Sequence, residues 1–163
     1  MDDAQYYMMA VTMLKDTGIK SRIIAQFIPL MNQYINEYMT KFDMFVNFEL
    51  DENFDETIKS RNRDTFSYNS FSEGEKMRIN LSILFAWRRI AMSKNSISTN
   101  IIVFDETLDS SLDEEAVDTF VNILGSIEED TNVVVISHRK VIDEMFDRVV
   151  VIKKVNDFSV VTT

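Results

Sequence analysis

The sequence predicts an α/β fold: a short parallel sheet packed by helices, with N-terminal helices and a small antiparallel sheet before it. Three observations predict this. Residues 101–105, Ile-Ile-Val-Phe-Asp, and 132–137, Asn-Val-Val-Val-Ile-Ser, are continuous apolar runs, the pattern of parallel strands covered on both faces. A helical pattern over 111–127 lies between them, which makes a strand–helix–strand unit. Upstream, Met44, Val46, Phe48 and Leu50 alternate with Phe45, Asn47 and Glu49, which is strand spacing.

The remaining elements follow in order. Residues 2–16 carry Tyr7, Val11 and Leu14 at helical spacing, and Gly18 suits the position just past the helix end. Residues 20–41 continue in helical period, but Pro29 sits inside them. An interior proline costs about 3 kcal/mol, so the helix either kinks near Ala25 or restarts with Pro29 in its first turn. Short runs at 54–58 and 65–68 complete the antiparallel set after a turn at Asp51-Glu52-Asn53. Residues 73–93 are helical, with Met77, Leu81, Leu84 and Phe85 on one stripe, and 94–100 form a polar link. A helix over 139–146 and a hairpin around Asn156-Asp157, from strands at 149–152 and 158–161, close the chain.

Composition narrows the function classes. At 163 residues, 45% hydrophobic and 27% charged, the chain is one domain-sized unit with enough apolar residues for a core. Twelve Phe and ten Met suit a core of large, adaptable side chains, or an apolar surface exposed where a partner lobe is missing. There is no cysteine, which excludes disulfides and thiolate metal sites. No apolar run is long enough to span a membrane. The net charge of −10 is uneven. Residues 1–100 hold 12 basic against 13 acidic side chains, and residues 101–163 hold 5 against 14. The acidic second part disfavours DNA across it. Candidate DNA contacts are Lys59, Arg61, Arg63, Lys76, Arg78, Arg88 and Arg89, unless these form an ordinary solvated face.

Three blocks carry the chemistry. The run ending in Asp105-Glu106 delivers two carboxylates to the C-terminal end of a strand, where ligands bind in open α/β sheets. There Asp105 can hold Mg²⁺ and Glu106 can polarise an attacking water. The plainer alternative is a strand-end turn. Ser72-Glu73-Gly74-Glu75 satisfies a capping box, and such a cap also presents backbone N–H groups to an anion. His138, the only histidine, follows the second apolar strand and is either structural or part of the same site.

In this order, Phe71-Ser72-Glu73-Gly74-Glu75, Ile101 to Glu106, Thr107-Leu108-Asp109 and His138 resemble the C-terminal half of an ATP-binding-cassette ATPase head, a lobe of a P-loop NTPase. They look like its signature motif, Walker B with the catalytic glutamate, D-loop and switch histidine. Ser-Phe-Ser-x-Gly-Glu-Lys is similar to the chromosome-maintenance and repair branch, and within it to the SbcC family and its T-even phage members. The resemblance covers about residues 15–155 and is strongest over 70–138.

The resemblance implies a division into 1–41, the end of a coiled coil and lobe base, and 42–163, the C-terminal ATPase lobe. It implies an ATPase using ATP and Mg²⁺. Glu106 and His138 would be catalytic, Asp105 would hold the metal, and Ser72, Gly74, Glu75 and Asp109 would contact nucleotide or the opposite head. Implied partners are an N-terminal Walker A lobe of the same protein, a second head in a homodimer, an SbcD-like nuclease subunit, and DNA through that complex, with no membrane. The implied location is the cytoplasm, that of the host cell for a phage protein. Glu73 departs from the commoner glycine, and its carboxylate must point away from a triphosphate. None of Gly18, Gly74 and Gly125 begins a Gly-x-x-x-x-Gly-Lys-Ser/Thr loop. The chain is therefore expected to be half of a head, with little ATP binding or hydrolysis alone. Alternative readings are a RecF-like, RecN-like or chromosome-structural head fragment, or a non-enzymatic docking module.

Overall fold

The computed structural model describes residues 3–14, 25–52, 54–60, 65–93, 100–109, 112–127 and 131–162. Its helices are α1 (Asp3–Leu14), α2 (Ile28–Lys41), α3 (Glu73–Ser93) and α4 (Glu114–Gly125). Its strands are β1 (Val46–Leu50), β2 (Glu56–Ser60), β3 (Thr65–Phe66), β4 (Ile101–Asp105), β5 (Asn132–Ile136), β6 (Val151–Val155) and β7 (Phe158–Thr162). Gly18, Asn53, Arg61 and Arg63, named above, lie outside the described residues, as do 94–99 of the polar link.

Helix α3 is shared by two cores. Leu81 and Phe85 join Phe42, Phe104, Leu108 and Phe120 in one. Ile79, Ala86 and Ile90 join Met31, Ile35, Met39, Phe48 and Ile58 in the other. The expected stripe is thus corrected. Leu84 faces solvent, and the second buried stripe, at 79, 86 and 90, arises because the helix packs on two sides. In the first core Phe104 and Phe120 meet edge-on, with centroids 4.8 Å apart at 84°. Such a pair contributes about 0.5–1.5 kcal/mol beyond its burial.

The second core shows how α2 is set. Pro29 stands in the first turn of α2, where its missing N–H costs no helix bond, so the restart is observed. Strands β1, β2 and β3 form an antiparallel sheet in that order, with Phe48 opposite Ile58. Among the described residues strand β1 has no neighbour beyond it in the sheet. Its outward groups are instead taken by two asparagines of α2. Asn36 accepts from the Phe48 N–H and donates to the Phe48 carbonyl, at 2.8 and 2.7 Å. Asn32 does the same for Leu50, at 2.9 and 3.1 Å.

Strands β4 and β5 pair in parallel, with Ile101 opposite Asn132 and Asp105 opposite Ile136. The expectation that both faces are covered is corrected. Phe104 faces the core at 4% exposure, whereas Val103 on the other face is 55% exposed, as are Ile101, Val134 and Ile136 to similar degrees. Helices α3 and α4 cover one face, and no described element covers the other. The helix expected over 139–146 is a 3-10 helix over Lys140–Met145. The terminal hairpin β6–β7 turns at Asn156 and Asp157, both with positive φ (47° and 65°), the requirement of a type I′ turn. Among the described residues no helix is long and apolar enough to cross a membrane.

Candidate functional site

Strands β4 and β5 end side by side, and the two loops that follow them meet. The β4 loop turns sharply at Glu106, whose φ of 50° lies in the left-handed region. A side chain there costs about 1–2 kcal/mol of backbone strain. The turn is held by two backbone bonds. Glu106 N–H donates to the Ile136 carbonyl at 2.9 Å, and Asp109 N–H donates to the Glu106 carbonyl at 3.2 Å. Asp105 ends β4 on the uncovered face, with its side chain exposed.

The β5 loop brings Ser137, His138 and Arg139 against this turn. His138 Nε2 lies 3.2 Å from Glu106 Oε1, with both side chains largely exposed. Asp109 binds the same loop through both carboxylate oxygens. One accepts from the Ser137 hydroxyl and the other from the His138 N–H at 2.9 Å. The Ser137 hydroxyl, foremost, and the His138 N–H hold the Asp109 carboxyl below its ordinary value, against the opposing effect of burial. Arg139 completes the connection. Its N–H donates to Ser137 Oγ at 3.0 Å and its guanidinium to the Leu112 carbonyl at 2.8 Å.

Ser72, Gly74 and Glu75 lie at the start of α3. Glu75 accepts from the Ser72 N–H at 2.8 Å and from its hydroxyl at 2.7 Å, while Glu75 N–H approaches Ser72 Oγ at 3.3 Å. This is the reciprocal capping box. The Ser72 hydroxyl, then its N–H, lowers the Glu75 carboxyl below the usual 4.5. Glu73 is turned to Lys76, with a 2.7 Å ion pair.

The sequence-predicted residues thus fall in two groups. Asp105, Glu106, Asp109 and His138 share the strand ends, and Ser72, Gly74 and Glu75 share the helix start. Among the described residues no hydrogen bond joins the groups directly. Arg78 of α3 provides an indirect link, donating to Asp113 at 2.5 Å and to the Phe42 carbonyl at 3.0 Å. Asp113 is the N-cap of α4, accepting from Ala116 N–H at 2.9 Å. With this cap α4 begins at Glu114, three residues later than the helical pattern read from the sequence over 111–127. Asp113, Ser137 and the placement of Arg78 were missed. An Asp before Glu-Glu-Ala was a legible cap signal, but the other two depend on contacts across loops.

The described basic side chains proposed for DNA are bonded within the chain. Lys59 pairs with Glu49, Lys76 with Glu73, Arg78 with Asp113 and Arg89 with Glu37, while Arg88 donates to the Thr131 hydroxyl.

No family model matches the chain. Solved structures share its fold. An SMC ATPase structure from work on ATP-driven dimerization and DNA-stimulated activation superposes with a TM-score of 0.69 at 17% identity, over 87% of this chain and 88% of the other. The SMC head domain from Thermotoga maritima gives 0.59 at 23% identity, over 88% of this chain and 50% of the other. The fold is therefore that of an SMC-type ATPase head. Sequence relatives are more specific. Exonuclease subunit 2 of Enterobacteria phage T4 is 45% identical over 148 residues, and that of Escherichia phage RB69 is 43% identical over 150. These alignments cover 91% and 92% of this chain but 26% of each relative, so the chain spans about a quarter of their length. The Rad50 double-strand break repair ATPase of Methanocaldococcus jannaschii is 24% identical over 140 residues, 84% of this chain and 13% of that protein. The chain belongs to the SbcC-like family that includes phage exonuclease subunit 2.

Proposed function

We propose that this chain is the C-terminal lobe, residues 42–163 with the helical base 1–41, of an ATPase head that serves DNA repair and recombination. The observation that carries the proposal is the meeting of Glu106 and His138 at the ends of two parallel strands, with Asp105 immediately before Glu106. A carboxylate within hydrogen-bond reach of an imidazole suits the activation of water for phosphoryl transfer, a reaction accelerated mainly by positioning and electrostatics. Relatives named as an exonuclease subunit and as a repair ATPase support the same reading.

Each residue takes a separate role. Glu106 orients the attacking water and receives its proton. His138 holds the Glu106 carboxylate in place and donates to the terminal phosphate. Asp105 would hold Mg²⁺, which would supply charge neutralisation at the phosphates. The donor set fits this ion. Asp105 offers an exposed carboxylate at the end of β4. A single carboxylate suits a cation that keeps several waters and phosphate ligands.

At the start of α3, Ser72, Gly74 and Glu75 present a capped helix end to the nucleotide of a second head. Asp109 lies where the second head would approach. The phosphate-cradling loop comes from an N-terminal Walker A lobe of the same protein. The exposed β4–β5 face of Ile101, Val103, Val134 and Ile136 supports a covering element of that kind. The assembled heads control a nuclease subunit on DNA in the cytoplasm.

The test is ATP hydrolysis by this chain co-expressed with the Walker A lobe, beside each part alone. Activity in the combination only is the expected result. Robust turnover by this chain alone would overturn the division of labour. A stable complex without turnover would favour a docking module.

A further inference from the structure

We infer that Ser137 is a positioning residue for His138, and that it sets the histidine according to where the Asp109 turn lies. The inference rests on the ATPase reading above and adds a residue to its site. Ser137 precedes the imidazole by one position and has two hydrogen bonds that settle its hydroxyl. The hydroxyl donates to Asp109 and accepts from the Arg139 N–H at 3.0 Å. Its proton is therefore directed at the carboxylate, because the other side of the oxygen is taken.

The second Asp109 oxygen accepts from the His138 N–H, so one carboxylate grips two consecutive residues of the β5 loop. Arg139 anchors the far side through the Leu112 carbonyl. His138 itself has only the 3.2 Å contact to Glu106 among described side-chain bonds, and it is exposed. Its orientation is thus inherited from its neighbours' bonds rather than from burial. Asp109 belongs to the turn that begins at Glu106, so both members of the Glu106–His138 pair are referred to the same four-residue segment. A displacement of that segment, as on approach of a second head, would move His138 with it through Ser137.

The test uses this chain combined with the Walker A lobe and compares Ser137→Ala with Ser137→Thr. In Ser137→Ala, kcat for ATP falls about tenfold, which corresponds to about 1.4 kcal/mol, with KM changed less than about twofold. Ser137→Thr keeps the hydroxyl and restores kcat to within about twofold of wild type. The double variant Ser137→Ala, Asp109→Asn loses less than the product of the two single losses, because the two groups act as one unit. An unchanged kcat in Ser137→Ala, or equal loss in the Ala and Thr variants, would overturn the inference. Should Ser137→Ala fail to fold, Ser137→Cys, a weak donor of similar size, is read by the same criteria. Wild-type protein without ATPase activity would instead sink the ATPase reading, before any variant is compared.

Discussion

Glu106 and His138 stand 32 positions apart in the chain, yet their side chains meet at 3.2 Å on the ends of adjacent strands. The contact is made possible by the left-handed turn at Glu106, which lifts the carboxylate off the strand direction and toward the β5 loop. Replacing Glu106 by Gln keeps the shape and the turn but removes the base. In this chain combined with the Walker A lobe, ATP binding is expected to persist while turnover drops by roughly a hundredfold or more, the usual range for a positioned acid–base group. Nucleotide binding and steady-state hydrolysis, measured on the same preparation, check this. Equal loss of both would reject the base assignment.

The same residue predicts a trade between stability and activity. Glu106→Gly removes the side chain from a backbone with φ of 50°. Relief of the strain is expected to raise unfolding stability by about 1 kcal/mol, with hydrolysis abolished. Urea denaturation provides the measurement, and a destabilised variant would show that the turn carries no strain.

At the start of α3 the prediction concerns pH. The Glu75 carboxyl is lowered by the Ser72 hydroxyl and N–H. A lowered carboxyl contributes stability above its unfolded value, and that contribution disappears as pH falls through the lowered folded value. Wild type is therefore expected to exceed Glu75→Gln in melting temperature above about pH 4.5 and to converge with it at more acid pH. Ser72→Ala is expected to cost about 1 kcal/mol at neutral pH. A gap between wild type and Glu75→Gln that widens on acidification would refute the assignment.

Val103 and Phe104 are neighbours on β4 with opposite fates. Phe104→Ala is expected to destabilise the chain by about 3–5 kcal/mol, since it empties the contact with Phe120. Val103→Ser is expected to change it by no more than about 0.5 kcal/mol, and to weaken capture of the Walker A lobe instead. Denaturation of the chain and co-purification with that lobe separate the two effects. A large loss of stability in Val103→Ser would mean that this face is covered within the chain.

Asn36 supplies the last case. Asn36→Ala leaves the outward Phe48 N–H and carbonyl without their partner. The expected cost is about 1–3 kcal/mol in urea unfolding. No loss would mean that water replaces the amide fully.

Much of this was legible in the residues. Pro29 marked the restart of α2, Asn156-Asp157 marked a hairpin, and the apolar runs marked β4 and β5, because each signal is local. What was not legible is what lies across space. An apolar run states that both faces of a strand favour burial, but not which element supplies the cover, so Val103 was read like Phe104. The Asp109–Ser137 bond joins residues 28 apart, and the Arg78–Asp113 bond joins residues 35 apart. No periodicity announces either. Nothing local in the sequence marks Asn32 and Asn36, and only the fold reveals them as partners of a strand edge.

The asparagine pair also makes the spacing of the chain rigid at one place. One helical step from Asn32 to Asn36 rises about 6.0 Å, while the step from Leu50 back to Phe48 spans about 6.7 Å. The two rulers agree over a single interval and then drift, and at the next helical step Thr40 gives its hydroxyl to the Asn36 carbonyl instead. Only every second residue of β1 offers its backbone outward. Adding or deleting one residue between Lys41 and Val46 would therefore present Asn47 and Glu49, whose backbone groups face β2, and would turn Phe48 out of the core. The short link between α2 and β1 is thus a segment whose length cannot vary by one, and at Asp43, where φ is 55°, its backbone also restricts which side chains can stand there.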